Sequence, residues 1–171
     1  MYSENRKIMA KKIEKTNAAR LLDRAKIAYE LIPYTVDEDN LAATHVAEEL
    51  GEDIATVFKT LVLRGDRNGL FVCVIPGDHE VDLKAAARLS ANKKADLIAM
   101  KELLPTTGYI RGGCSPIGMK RPLPTYIHSS CLDHERIYIS AGVRGLQIAI
   151  HPQALIDYTQ ATVAELSHTM E

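Results

Sequence analysis

The order of patterns along this 171-residue chain predicts a single α+β domain, with a mixed, mostly antiparallel sheet curled toward a barrel and helices around it. Two observations carry that reading. Short β-branched apolar runs are interspersed with short amphipathic helical segments, and two of the runs flank Asp66-Arg67-Asn68-Gly69, a strong hairpin signal. No internal repeat, low-complexity block or linker divides the chain.

Residues 1–14 are polar and basic and read as a flexible extension with a weak role near nucleic acid, which leaves 15–171 as the folded domain. Thr16-Asn17 can cap a helix over about Ala18 to Lys26, whose apolar stripe is Ala18, Leu21, Leu22 and Ala25. Tyr29 to Val36 reads as extended, and Ala43 to Leu50 as a second helix closed by Gly51. The hairpin strands are Val57 to Arg64 and Leu70 to Ile75. Leu83 to Leu89 is alanine-rich and helical, Lys94 to Ile98 a short strand, and Lys101 to Leu104 a helical turn stopped by Pro105. Strands near Thr125 to Ile127, Arg136 to Ile139 and Gln147 to Ile150 follow, and Pro152 opens a last helix to about Tyr158.

The apolar fraction of 46% and charged fraction of 25% are those of an ordinary globular protein, and the formal net charge is only -1. A long nucleic-acid footprint needs a basic surface to neutralise phosphates, so any RNA contact is expected to be confined to one end or helped by a partner. Cys73, Cys114 and Cys131 are odd in number and lack Cys-x-x-Cys spacing, which points to free thiols in a reducing, cytoplasmic setting. No apolar run is long enough to span a bilayer, so no membrane partner is expected. The six histidines form no metal-binding spacing, and neither metal nor cofactor is expected.

Lys59 interrupts Thr56-Val57-Phe58-Lys59-Thr60-Leu61-Val62-Leu63, otherwise built like the centre of a buried strand. An unpaired buried cation costs several kcal/mol or loses its proton, so the ammonium needs an anionic partner, a ligand or open water. By alternation Lys59 points with Val57 and Leu61, and Thr60 points away with Phe58 and Val62. A second unusual segment is Tyr109-Ile110-Arg111-Gly112-Gly113-Cys114-Ser115-Pro116-Ile117-Gly118. Its glycines allow a sharp turn whose N–H groups can hold an oxyanion, or simply reverse the chain. Neither the phosphate-binding nor the dinucleotide glycine pattern is present.

Phe58-Lys59-Thr60-Leu61, the Gly112-Gly113-x-Ser115-Pro116-x-Gly118 turn and Ile139-Ser140-Ala141-Gly142-x-Arg144-Gly145-Leu146 stand in one order, with Thr16-x-Ala18 opening the first helix and Tyr34 on the first strand. Together they make the chain, from about Lys15 onward, resemble the YbaK/ProX family of aminoacyl-tRNA deacylases, and within it the subgroup that clears cysteine from tRNA(Pro). The resemblance implies a trans-editing enzyme that cleaves the ester between a mischarged amino acid and the terminal ribose. It implies Lys59, Gly112 and Gly113 as catalytic groups, and Tyr34, Thr60, Ser115, Ser140, Gly142 and Arg144 as substrate-binding ones. It also implies that the thiol of the bound cysteine attacks its own carbonyl and leaves as a thiolactone, which makes the class a carboxylic-ester hydrolase or a lyase. The implied partners are the acceptor end of aminoacyl-tRNA and prolyl-tRNA synthetase. Sister activities on Ala-tRNA(Pro), or a silent binding module, are the alternatives.

Other candidates read as bland. His45 could face a pocket, whereas His128 and His134 flank a loop and have no partner to act on. Cys114 sits beside flexible amides like a nucleophile, but no histidine has the context to activate it, and it reads as an apolar filler. Lys93, Lys94, Arg111, Lys120, Arg121 and Arg144 are candidates to guide an RNA backbone.

Overall fold

Residues 13–170 are described by the computed structural model, so the extension expected over 1–14 lies almost wholly outside the described residues. Thr16 opens helix α1 (Asn17–Arg24) by accepting the Ala19 amide on its hydroxyl, as its position before an apolar stripe requires. Strand β1 (Tyr29–Pro33) ends at its proline, three residues before the extended segment expected from sequence. Helix α2 (Ala43–Leu50) is closed by Gly51 in the left-handed conformation. The hairpin follows as β2 (Phe58–Gly65) and β3 (Gly69–Pro76), and β4 (His79–Val81) continues from it.

Asp82 then caps α3 (Leu83–Leu89), and β5 (Ala95–Leu97) leads into α4 (Met100–Thr107). Pro105 does not stop α4 as expected. The helix runs on to Thr107, whose hydroxyl donates to the Leu103 carbonyl, and it ends at Gly108, which takes the left-handed cap. The remaining elements are β6 (Thr125–His128), β7 (Ile137–Ser140), β8 (Leu146–Ile150), α5 (Pro152–Thr159), β9 (Thr162–Ala164) and β10 (Ser167–Thr169).

The strands form three sheets, ordered β1-β8-β7, β10-β4 and β5-β2-β3-β6-β9, rather than one sheet closing on itself. Pairing is antiparallel except where β3 meets β6 and β6 meets β9. The architecture is the expected α+β one, with the curl toward a barrel left open.

Alternation sorts the side chains into layers. Phe58, Val62, Val72 and Val74 of the hairpin face Ile137, Ile139, Ile148 and Ile150 of the three-stranded sheet, and Leu22 of α1 and Leu155 of α5 complete that main core. The opposite hairpin face, with Leu63, Phe71 and Ile75, packs on Ala86 and Ala87 of α3 and on Leu166. The opposite face of the three-stranded sheet, with Tyr138 and Ala149, packs on Val46 and Ala47 of α2. Each fully buried aliphatic or aromatic side chain in these layers contributes about 1.5–3 kcal/mol. The two large sheets diverge beside β2, and the site lies in that gap.

Candidate functional site

The gap opens because β2 is paired along only part of one edge. On the β3 side its ladder runs from Phe58 to Gly65, whereas β5 covers only Leu63 to Gly65 on the other. The Val57 carbonyl accepts from Gly77 on the first edge, and the Val62 carbonyl accepts from Ile98 on the second. Alternate residues turn their main-chain groups to the same edge, so the N–H and C=O of Thr60 point to the second, where no described strand pairs with it.

A cavity of about 420 Å³ occupies this place. Lys59 and Thr60 form one wall, Ser140 of β7 and Gln147 of β8 another, and Arg111, Gly112 and Cys114 a third. Leu97, Met100 and Leu103 give it an apolar lip, and Leu41 and Ala43 face that lip from the start of α2. The α4 side of the lip is anchored by Arg64, which donates to the Glu102 carboxylate at 2.8 and 3.3 Å. The volume suits a small polar ligand of the size enzymes usually enclose.

Lys59 is half-buried, and its ammonium donates to the Gly77 carbonyl at 3.2 Å. Burial pulls its pKa below the ordinary lysine value, while the charges of Asp78 and Glu80 push the other way. An ammonium has three donors, and one is engaged here. Thr60 departs from the simple alternation reading: it lines the same cavity as Lys59, because the cavity wraps around the open strand edge and meets both faces. Its hydroxyl oxygen is buried without a hydrogen-bond partner among the described residues.

The glycine turn takes a definite form. Gly112 has φ of +82°, and a Cβ there would sit 3.3 Å from Leu41 and 3.4 Å from Arg144. Gly113 passes so close to Val143 and Arg144 that a Cβ would meet the Val143 backbone at 3.2 Å, and its N–H is spent on the Ile110 carbonyl at 2.9 Å. Of the two glycines only Gly112 lines the cavity. Arg144 lies behind the turn, with its Nε donating to the Arg111 carbonyl at 2.9 Å.

The other expected binding residues separate into two groups. Ser140 lines the cavity, and its hydroxyl accepts the Gly142 amide at 3.1 Å, so Gly142 shapes the wall from behind. Ser115, fully buried, accepts the Ile117 amide at 3.2 Å and holds the turn instead of facing the cavity. Tyr34 lies one residue past β1, donates its amide to Gly145 and packs with the α2 layer, away from the cavity lining. His45 is on α2 with its Nε2 3.8 Å from Glu49, and it too is absent from the lining. Sequence reasoning missed Gln147, Gly77 and the lip. Gln147 is the one with a signal in hindsight, a lone polar residue in Leu146-Gln147-Ile148-Ala149-Ile150.

Among the described residues no aspartate, glutamate or histidine lines the cavity, and its one thiol is disarmed. Burial pushes Cys114 up to about 12, so at neutral pH it is a protonated, weakly polar side chain. Among the described residues no three metal-ligating side chains come together. No described helix is long and apolar enough to cross a membrane. What the cavity offers is one cation, a free main-chain amide and a few neutral polar groups, a set suited to stabilising charge on a bound acyl group.

Comparisons agree with that chemistry. Residues 37–158 match the model of a family described as the aminoacyl-tRNA editing domain. The chain is 46% identical, over 93% of its length and 98% of the other, to EbsC of Enterococcus faecalis, named as a candidate Cys-tRNA(Pro)/Cys-tRNA(Cys) deacylase. An uncharacterised Bacillus subtilis protein, YwhH, is 26% identical over 68% of this chain and 74% of its own. Among solved structures, a candidate trans-editing enzyme for prolyl tRNA synthetase shares the fold with a TM-score of 0.78 at 23% identity, over 91% of this chain and 99% of that one. A hypothetical protein matches with a TM-score of 0.80 at 22% identity, over 87% and 97%.

Proposed function

The chain belongs to the aminoacyl-tRNA editing domain family, and from that premise we propose that it is a trans-editing deacylase that removes cysteine from tRNA(Pro), and from tRNA(Cys), at the acceptor end. The observation that carries this reading is the meeting of Lys59 and Gly112 in a cavity where no described carboxylate, imidazole or ionised thiol offers a nucleophile or base. A site that stabilises an acyl transition state without supplying the attacking group suits a substrate that brings its own.

In this mechanism the ester carbonyl lies between the Lys59 ammonium and the Gly112 N–H. The sulfur of the bound cysteine attacks the carbonyl carbon, a C–S bond forms, and electron density moves onto the oxygen held by those donors. Collapse breaks the bond to the ribose oxygen, which takes up the proton lost from the thiol, and a four-membered thiolactone departs from an uncharged tRNA. Enforced proximity favours this intramolecular step, and proline is spared because it has no thiol. A positioned donor at the oxyanion is worth about 3 kcal/mol, or roughly a hundredfold. Ser140 and the Thr60 main chain wall the pocket, Gly113, Gly142, Ser115 and Arg144 support it, and Tyr34 lies outside it.

The near-neutral net charge offers little grip on a whole tRNA, so prolyl-tRNA synthetase is the proposed partner that supplies the rest. A deacylation panel of cysteinyl-, alanyl- and seryl-tRNA(Pro), with product analysis, tests the reading. Release of thiolactone from the cysteinyl ester alone is expected. Release of alanine at a comparable rate would shift the assignment to a water-using deacylase, and tRNA binding without any release would leave a recognition module.

A further inference from the structure

Gln147 lies on the central strand of the three-stranded sheet, in register with Ser140 on one side and Ile32 on the other. It is 4% exposed, and its Oε1 is buried without a hydrogen-bond partner among the described residues. Its same-face neighbour along the strand, Ala149, packs on α2, so a glutamine here gains nothing from the core it borders. An amide carbonyl left unpaired in such a place costs about 1–3 kcal/mol. The side chain instead lines the cavity, as does Thr60, whose hydroxyl is the other buried and unpaired oxygen on that surface among the described residues.

We propose that Gln147, with Thr60, forms the receptor for the free α-amino group of the aminoacyl ester, and so restricts the enzyme to tRNAs whose amino acid is unblocked. The inference rests on the deacylase reading above. Every other strong polar group assigned to the reaction is a donor: the Lys59 ammonium, the Gly112 N–H and, at the mouth, Arg111. An α-amino group brought among these needs acceptors, and no carboxylate of the described residues lines the cavity to provide one. The Ser140 oxygen already accepts from Gly142, which leaves the Gln147 carbonyl and the Thr60 hydroxyl. A neutral acceptor has a further advantage beside a cation. A carboxylate here would pair with Lys59 and quench it, whereas an amide accepts from an amine in either protonation state and leaves Lys59 for the carbonyl. An N-acyl group would place a bulky carbonyl oxygen against the Gln147 oxygen, so formylated and peptidyl esters should be refused.

The test compares tRNA(Pro) carrying cysteine with tRNA(Pro) carrying 3-mercaptopropionate, which keeps thiol and ester but lacks the amine. Wild-type enzyme should prefer the cysteinyl ester by about tenfold or more in kcat/KM, the value of one hydrogen bond to an otherwise unpaired buried group. In Gln147→Met and Gln147→Leu that preference should collapse to within about threefold of unity, with the mercaptopropionyl rate little changed. Because the ratio compares two substrates on one protein sample, partial unfolding cancels from it. A preference that persists unchanged in both variants, or its absence from wild-type enzyme, overturns the proposal. The pair alanyl and propionyl carries the same comparison if the thiol is not the nucleophile. Wild-type enzyme inert toward all four esters sinks the deacylase reading and this inference together, an outcome distinct from loss of the preference alone.

Discussion

The Lys59 ammonium nitrogen lies 3.2 Å from the Gly77 carbonyl oxygen and donates to it, and this one hydrogen bond aims a half-buried cation into the cavity. Burial disfavours the charge, so the fold pays to keep it there. Lys59→Met keeps the length and apolar stem of the side chain and removes the cation. Release of cysteine from Cys-tRNA(Pro) should fall by about a hundredfold or more, the loss expected for an oxyanion donor. The melting temperature should not fall, because a disfavoured buried charge has been removed. Retained activity in this variant would take Lys59 out of the reaction.

The same depressed pKa sets a pH dependence. Lys59 acts as a donor only when protonated, so kcat/KM should decline on the alkaline side with a midpoint below the ordinary lysine value of 10.5. Stability moves the other way. Between the folded and unfolded pKa values the unfolded chain binds more protons at this lysine, so its contribution to stability rises with pH across that window. Melting curves of wild-type protein and Lys59→Met, compared as pH approaches 10.5, should show the wild type gaining on the variant. A difference that is constant or shrinks with rising pH would contradict the depressed pKa.

Local chemistry made much of the fold legible. The Asp66 to Gly69 turn, the Gly51 cap and the Pro152 helix start each act within a few residues, and each lies where sequence placed it. The strands His79–Val81, Thr162–Ala164 and Ser167–Thr169 were not legible, because three mostly polar or short residues carry no alternation and pair only through distant partners. In the site, Lys59 and Gly112 stand out as a charge in an apolar strand and a glycine with positive φ. Thr60 was misread because alternation assumes a strand paired on both edges, and β2 is open at that point. Gln147 was missed since its meaning lies in an unpaired atom rather than in its residue type.

Arg144 belongs to the Ser140 to Leu146 segment expected to bind substrate. Its Nε holds the Arg111 carbonyl at 2.9 Å and so braces the turn that presents Gly112. Arg144→Ala should lower kcat/KM by about tenfold through the loosened turn, as loss of a charge-assisted hydrogen bond predicts. The dependence of tRNA affinity on salt should keep its slope. A slope reduced by about one would mean that the guanidinium neutralises a tRNA phosphate instead.

Cys114 is the thiol beside the reacting centre, and the site's chemistry turns on whether it takes part. With its pKa pushed up to about 12, only on the order of one molecule in 10⁵ carries a thiolate at neutral pH. Cys73 and Cys131 are buried and raised as well, to about 12 and about 11, so none of the three is primed for attack. Cys114→Ala should therefore retain activity within about twofold, with a stability loss of about 1 kcal/mol for the small cavity left behind. Iodoacetamide at neutral pH should likewise leave wild-type turnover unchanged over the time of an assay. If Cys114→Ala folded normally and released no cysteine, the enzyme's own thiol would replace the substrate's as the attacking group.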